Sequence, residues 1–481
     1  MSDTLRISKL NEVYIHVDCE PGVAFELADK FTFMVPDAKF HPLVKNKVWD
    51  GKIRLFNVMT KQLYAGLLHE VLSFARAREY DVEFLSEFDD VEFSLAEGKE
   101  FSETLGLPFS ARDYQIESFT HAVRKSRGMV LSPTASGKSL IIYLLTRYYN
   151  ARTLIIVPTV SLVLQLASDF ASYGLDVDST VHCVSGGSSP QSDSKIIIST
   201  WQSIYKLPAA YFRPFDLVIG DEAHLFKAKS LTSIMTKLTH CKYRFGFTGT
   251  LDGTETNKLV LEGLFGKVHR AVSTADLIDQ KHLADLKIKA LVLKYPEEIR
   301  KQLKKLDYQA EMDFIVRYQP RNKFIKNLAL SLSGNILLLF QYVDKHGKEL
   351  YDMINAPDRK VFFIHGGVSG DERERIRKLV EDETNAIIIA SSGTFSTGVN
   401  IKNLHNIIFA SPSKSKIKNL QSIGRGLRKS ETKDSVTLYD IADDLSWKTR
   451  KNYTIEHFKE RIKIYSEEGF DYKIYNIQLK G

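Results

Sequence analysis

The sequence predicts an α/β protein: two tandem parallel-sheet lobes, preceded by a small α+β domain and followed by a short helical appendage. Three observations carry this expectation. Between residues 107 and 220, apolar runs of strand length alternate with amphipathic helical windows, the pattern of a parallel sheet covered by helices. A second series of the same kind runs from residue 336 to residue 439. The first hundred residues lack that alternation, and the tail from residue 446, rich in Lys, Tyr and Glu, has helical spacing.

A chain of 481 residues has room for about three domains of roughly 150 residues. The expected division is 1–104, 105–275, 276–445 and the appendage 446–481. Hydrophobic residues at 43% and charged residues at 26% exclude wholesale disorder. No apolar run approaches the roughly 18 residues of a membrane span, and residues 1–10 hold no signal-peptide core, so a cytoplasmic protein without a membrane partner is expected. Cys19, Cys183 and Cys241 are scattered without CxxC spacing, which points to small buried hydrophobes in a reducing compartment.

In chain order, residues 39–54 come first among the informative segments. They read KFHPLVKNKVWDGKIR, five basic residues against one acid, with Phe40 and Trp49 among them. Cations suit phosphates and flat rings suit bases, so Lys45, Lys47, Lys52 and Arg54 are candidate nucleic-acid contacts. Trp49 reads equally as a stacking wedge or as a core residue. Residues 62–77 are a helical candidate, and residues 79–103 carry ten acids against one lysine, an exposed surface near a domain boundary. The first lobe's strands are expected at 129–131, 154–157, 196–199 and 217–220. Those of the second lobe are expected at 336–340, 361–364, 386–390, 407–410 and 436–439, with the junction near 271–286.

The strand 129–131 leads into Ser132-Pro133-Thr134-Ala135-Ser136-Gly137-Lys138-Ser139 and then an apolar helical run. A strand, a tight loop and a helix start suit a nucleotide's phosphates, wrapped by backbone N–H groups at the helix dipole's positive end. Lys138 would reach the β- and γ-phosphates and the Ser139 hydroxyl would ligate Mg²⁺, although Ser132 stands where the usual loop has its first glycine. Taken alone, the segment also reads as a small-residue turn. Downstream, the strand 217–220 ends in Asp221-Glu222-Ala223-His224. Carboxylates at the end of a parallel strand lie where such sheets bind ligands. Asp221 would hold Mg²⁺ and Glu222 would polarise the attacking water, so the two motifs together imply ATP hydrolysis.

The second series contains Gln421-Ser422-Ile423-Gly424-Arg425-Gly426-Leu427-Arg428, inside the basic stretch 412–433. Arg425 and Arg428, three apart on one helical face, suit stabilisation of the γ-phosphate as charge shifts; a solvated basic helix is the alternative. With this motif in place the chain, over roughly residues 107–440, resembles a superfamily 2 helicase. Arg112-Asp113-Tyr114-Gln115 is similar to the adenine-reading Q-type motif, and the 132–139 loop to motif I. Val157-Pro158-Thr159 and the Ser199–Ser203 run resemble motifs Ia and Ib, and the 221–224 tetrad motif II. Phe247-Thr248-Gly249-Thr250 stands at motif III, with Gly249 a departure from the usual SAT or TAT. Residues 364–366, 391–400 and 421–428 resemble motifs IV, V and VI, with Asn400 where many relatives have an acid.

The resemblance implies RecA-like lobes, ATP and Mg²⁺ as cofactors, and a nucleic-acid substrate. It makes Gln115 the adenine contact and Thr159, Thr200 and Thr397 donors to backbone phosphates along one strand. His224, Thr248, Gly398 and Gln421 become residues that couple the two lobes. Both ends of the chain, residues 40–56 and 452–461, are similar to a phage recombination and repair helicase of this superfamily that remodels branched DNA and R-loops. The expected substrates are therefore branched DNA, single-stranded DNA and RNA–DNA hybrid, handled by a monomer in the host cytoplasm during recombination, repair and replication. A duplex translocase without net unwinding and a catalytically idle nucleic-acid clamp are alternatives, and an RNA helicase is a third, because phosphate-tracking threonines do not read the sugar.

Overall fold

The computed structural model describes residues 3–35, 38–88, 90–251, 254–354, 358–398, 401, 403–411, 415, 420, 422–424, 426–427 and 434–480, with the side chains of 370, 371 and 396–398 excepted. The chain divides into two compact units, residues 1–132 with 137–271, and residues 272–481 with 133–136.

The first unit begins with a four-stranded sheet. Strands β1 (Thr4–Lys9) and β2 (Tyr14–Asp18) pair antiparallel, β5 (Gln62–Tyr64) continues beyond β2, and β6 (Asp81–Phe84) runs parallel to β1. Leu5, Ile7, Ile15 and Val17 alternate inward and pack on Val23 and Leu27 of helix Pro21–Lys30 and on Val71 and Phe74 of helix Leu68–Arg78. A hairpin of β3 (Thr32–Met34) and β4 (Lys52–Arg54) stands apart from that sheet and carries the basic segment between its strands. The helical candidate at 62–77 is only partly helical. Residues 62–64 are strand β5, because Leu63 is buried opposite Ile15 while Tyr64 stacks on Tyr14, and the helix starts at Leu68.

The same unit then builds a seven-stranded sheet that is parallel throughout. Its strands are β7 (Arg127–Leu131), β8 (Thr153–Val157), β9 (Val181–Val184), β10 (Ile196–Thr200), β11 (Leu217–Asp221), β12 (Tyr243–Thr248) and β13 (Val268–Arg270), in the spatial order β13-β7-β12-β11-β8-β10-β9. Both faces are covered, which is why β8 and β10 are buried at every residue. Helix Glu255–Phe265 of this lobe meets the N-terminal sheet at very close range. A Cβ on Gly66 would stand 2.0 Å from the Glu262 carbonyl oxygen, and one on Gly263 would stand 3.0 Å from the Tyr64 ring. Only glycine lets the two backbones approach this closely.

The second unit holds another seven-stranded parallel sheet: β14 (Asp285–Lys294), β15 (Ile336–Phe340), β16 (Val361–Ile364), β17 (Ile387–Ser391), β18 (Asn406–Phe409), β19 (Ser435–Asp444) and β20 (Tyr472–Gln478). Their order is β16-β17-β15-β18-β19-β14-β20. The tail contains the expected helix, Tyr453–Glu467, and also supplies β20, which pairs with β14 from Ile288↔Tyr472 to Lys294↔Gln478.

Two buried ion pairs hold helices to the two faces of β19. Asp440 and Asp443 are three residues apart, so the strand's period of two turns them to opposite faces. Asp440 takes Arg461 (2.9 Å from Nε) and the Tyr465 hydroxyl (2.9 Å) of the tail helix. Asp443 takes both arms of Arg321 (2.7 and 3.0 Å) and the Tyr295 hydroxyl (2.8 Å), while Arg321 also donates to the Ala410 carbonyl (2.7 Å). Arg321 and Asp443 are wholly buried, so removing one partner leaves an uncompensated charge in the core. Arg321→Met is therefore expected to lower unfolding free energy by about 3–5 kcal/mol, read from urea denaturation of the purified chain.

Candidate nucleotide and nucleic-acid site

The carboxyl ends of neighbouring strands β7, β12 and β11 bring the nucleotide motifs together. At the end of β7 the Ser132 N–H donates to the Thr248 carbonyl at the end of β12 (2.9 Å), which fixes where the phosphate loop leaves the sheet. Within the loop Ser136 donates to the Pro133 carbonyl through its hydroxyl (2.7 Å). Ala135 and Gly137 have positive φ, +69° and +80°, and such a turn of backbone N–H groups forms an anion-binding nest. Lys138 opens helix Lys138–Tyr149, with its Nζ on the Ser132 carbonyl (3.2 Å). The Ser139 hydroxyl shares a hydrogen bond with the Tyr173 hydroxyl (2.8 Å).

Gln115 lies buried beneath this loop. Its Oε1 accepts the Arg112 N–H (2.9 Å) and its Nε2 donates to the Gly137 carbonyl (3.3 Å). A Cβ on Gly137 would fall 2.4 Å from that Nε2, so glycine is needed there for space as well as for φ. The bracing role of Gln115 carries no signal in single-sequence patterning.

At the end of β11, Gly220 lets the Phe226 ring pack where a Cβ would come within 2.7 Å of it. Asp221 accepts the Glu222 N–H (2.9 Å). Burial, and next the Glu222 charge, push its carboxyl up to about 6 against the opposing pull of Lys138. Glu222 has φ +51°, and its Oε2 lies 3.3 Å from His224 Nδ1. The Thr248 hydroxyl donates to the Thr250 carbonyl (3.1 Å), so its bond to His224 Nδ1 (2.9 Å) is accepted from the ring, which places the proton on Nδ1. Thr248 and Glu222 thus meet the same ring nitrogen of His224 within this lobe, the first through a hydrogen bond and the second by proximity. A part-buried carboxylate and a helix-start serine hydroxyl are oxygen donors of the kind a hard divalent cation takes, and Asp221 and Ser139 fit Mg²⁺.

The next two strand ends, β8 and β10, carry the threonines. Val157 and Thr200 are register partners, and Gln202 Nε2 reaches the Pro158 carbonyl (3.4 Å), so the two loops run side by side. The Thr159 hydroxyl bonds Ser161 (3.1 Å) and the Thr200 hydroxyl bonds Ser203 (2.8 Å). Thr200 is buried, which leaves Thr159 the more open of the pair. Thr397 and Gly398 end helix Ser392–Gly398, but their side-chain surroundings, and Gln421, Arg425, Arg428 and Asn400 altogether, lie outside the described residues.

In the N-terminal hairpin, Lys45, Lys47 and Lys52 are exposed. Arg54 is exposed but paired with Asp50, whose carboxyl that guanidinium, aided by the Lys52 N–H, holds down at about 2. Trp49 is half-buried, with its indole N–H on the Lys52 carbonyl (2.9 Å) and its ring edge-on to His41. It braces the hairpin, and the exposed apolar surface comes from Phe40, Leu43 and Val48 instead. Phe40 and Val48 are 62% and 73% exposed. Only the fold shows which apolar residues of this segment find cover.

Residues 5–85 match the family described as DNA helicase UvsW, N-terminal; residues 108–253 match type III restriction enzyme, res subunit; residues 320–430 match the helicase conserved C-terminal domain. The chain is 33% identical to the ATP-dependent DNA helicase uvsW of Enterobacteria phage T4, over 97% of this chain and 98% of that protein. It is 26% identical to the DNA 3'-5' translocase XPB2 of Sulfurisphaera tokodaii, over 66% of this chain and 79% of that protein. The crystal structure of T4 UvsW superposes with a TM-score of 0.53 at 32% identity, covering all of both chains.

One outcome follows from Asp221. Its carboxyl is protonated as pH falls through about 6, and a proton competes with the cation. Magnesium-dependent binding of a non-hydrolysable ATP analogue should therefore weaken by about tenfold per pH unit below that point. Asp221→Asn keeps only the nucleotide's own titration, so the difference between the two pH profiles measures the residue.

Proposed function

This chain belongs to the UvsW family of superfamily 2 helicases, and we propose that it remodels branched DNA and R-loops in recombination, repair and replication. It is an ATP-hydrolysing DNA helicase. The observation that carries the branched-substrate reading is the N-terminal hairpin, where Lys45, Lys47 and Lys52 are exposed beside Phe40 and Val48 on a domain packed directly against the first motor lobe. Cations beside exposed apolar side chains suit a junction, where phosphates converge and base pairs end.

The motor needs ATP and Mg²⁺, which supply the phosphoryl group and the charge that offsets its oxygens. Asp221 and Ser139 would hold the cation, and Lys138 would neutralise phosphate charge. Glu222, oriented through His224, would take the proton of the attacking water. The adenine contact assigned to Gln115 would draw on the same amide that braces Gly137. Arg425 and Arg428 would stabilise the γ-phosphate as charge shifts, and Thr159, Thr200 and Thr397 would track one strand. The four working parts are taken as 1–104, 105–275, 276–445 and 446–481, acting as a monomer in the host cytoplasm. A second reading, duplex translocation without net unwinding, draws on the archaeal relative's description as a translocase.

Strand displacement on forks, four-way junctions, R-loops and plain duplex tests the proposal. Fork, junction and R-loop activity with none on plain duplex is expected, and ATPase stimulated equally by all four without strand separation favours translocation. Glu222→Gln should bind ATP yet slow DNA-stimulated hydrolysis by about 10²–10⁴-fold, and a wild-type rate would remove its assigned role. Replacing Lys45, Lys47 and Lys52 with Ala should leave melting temperature and basal ATPase unchanged. Junction affinity should fall, and its logarithmic salt dependence should flatten by about one unit per lost phosphate contact.

A further inference from the structure

Where the N-terminal domain meets the first motor lobe, three side chains from two helices converge. His69 and Glu70 begin helix Leu68–Arg78, and Glu262 lies near the end of helix Glu255–Phe265. One donor atom from each lies within 4.8 Å of the other two. We propose that His69, Glu70 and Glu262 form a Zn²⁺ site that cross-links the N-terminal domain to the motor lobe.

The argument rests on the imidazole. Its Nδ1 lies 3.0 Å from the Gly66 carbonyl, which can only accept, so the Nδ1 proton points there and Nε2 is the atom that faces the carboxylates. Glu262 Oε2 is 3.4 Å from Nε2, and Glu70 Oε1 is 3.7 Å from it. A lone pair aimed at two anionic oxygens is repulsive unless a cation lies among them, either a proton or a metal. A proton would draw the atoms to the about 2.7–2.9 Å of a charge-assisted hydrogen bond. The 3.4 Å separation is instead close to the about 3.3 Å edge of a tetrahedron with metal–ligand bonds of about 2.0–2.1 Å, and the 3.7 Å one lies a little beyond it.

Two further features fit a metal. Glu262 is 1% exposed, and among the described residues no hydrogen bond reaches its Oε2. Each donor is also aimed by a second contact on its other polar atom. Gly66 holds His69 Nδ1 (3.0 Å), the Val268 N–H holds Glu262 Oε1 (3.0 Å), and Lys30 holds Glu70 Oε2 (3.0 Å). Such outer contacts are what orient metal ligands. Lys258 Nζ, 3.7 Å away, approaches Glu262 on the Oε1 side as well. One imidazole and two carboxylates suit Zn²⁺, with water completing the shell.

The full chain, stripped with a chelator and free of nucleotide, tests this by titration with Zn²⁺ in a calorimeter and with Co²⁺ in a spectrophotometer. One equivalent of Zn²⁺ is expected to bind and raise the melting temperature, and Co²⁺ should give visible d–d absorption. Both signals should vanish in His69→Ala and weaken by more than about tenfold in Glu70→Gln, whose half-exposed position leaves folding intact should the histidine variant fail. The cobalt bands should persist in Asp221→Asn, which separates this site from the nucleotide site. Absence of uptake by the wild-type chain overturns the proposal. Uptake unchanged by Glu70→Gln also overturns it.

Discussion

The hydrogen bond from the Ser132 N–H to the Thr248 carbonyl sets the geometry on which the nucleotide motifs depend. Residue 248 is the last of β12, and β12 lies between the strand that feeds the phosphate loop and the strand that ends in the acid pair. Its backbone positions the loop and its side chain positions His224, which in turn lies against Glu222. Motif III is thus the part that the other two lean on. The Gly249 departure falls just beyond these contacts, and the threonines on either side make them: the Thr248 hydroxyl binds back to Thr250. Small residues at 220 and 137 let the neighbouring segments close around this strand.

A parallel sheet concentrates loops at one rim, and here the rim divides by strand. Strands β7, β12 and β11 end in the phosphate and metal groups, while β8 and β10 end in the paired threonine loops. β11 and β8 are hydrogen-bonded neighbours, so a rigid sheet connects the two halves of the rim. Charge is handled differently in the second unit, where acids on β19 are spent on anchoring helices rather than exposed at the rim.

Much of this was legible in the sequence because a parallel sheet buries strands on both faces and leaves unbroken apolar runs, as at 154–157 and 336–340. Strands β12 and β14, which the apolar runs do not predict, have charges inside them, and β19 is predicted only in part. In β12, Arg244 interrupts the run, yet it is wholly buried and donates to the carbonyls of Met235, Leu238 and Leu264 at helix ends. β14 alternates lysines with apolar residues, and β19 reads as finished at Tyr439 because Asp440 looks like a terminator until Arg461 is seen against it. The nucleotide residues were legible because their spacing is local. The Gln115 brace and the His69, Glu70 and Glu262 convergence were not, since their partners are separated by up to 193 residues in sequence (262 − 69).

The order of strands in the second sheet has a consequence for biosynthesis. β14 is the first of its seven strands to leave the ribosome, and β20, which covers one of its edges, is the last. Until about residue 478 has emerged, that edge presents unpaired backbone groups along a stretch whose centre reads Ala-Leu-Val-Leu. An open edge of this kind recruits other strands, whether from the same chain or from a neighbour on the polysome. The lysines at 287, 289 and 294 offer a charged fringe against such pairing while synthesis runs to its end.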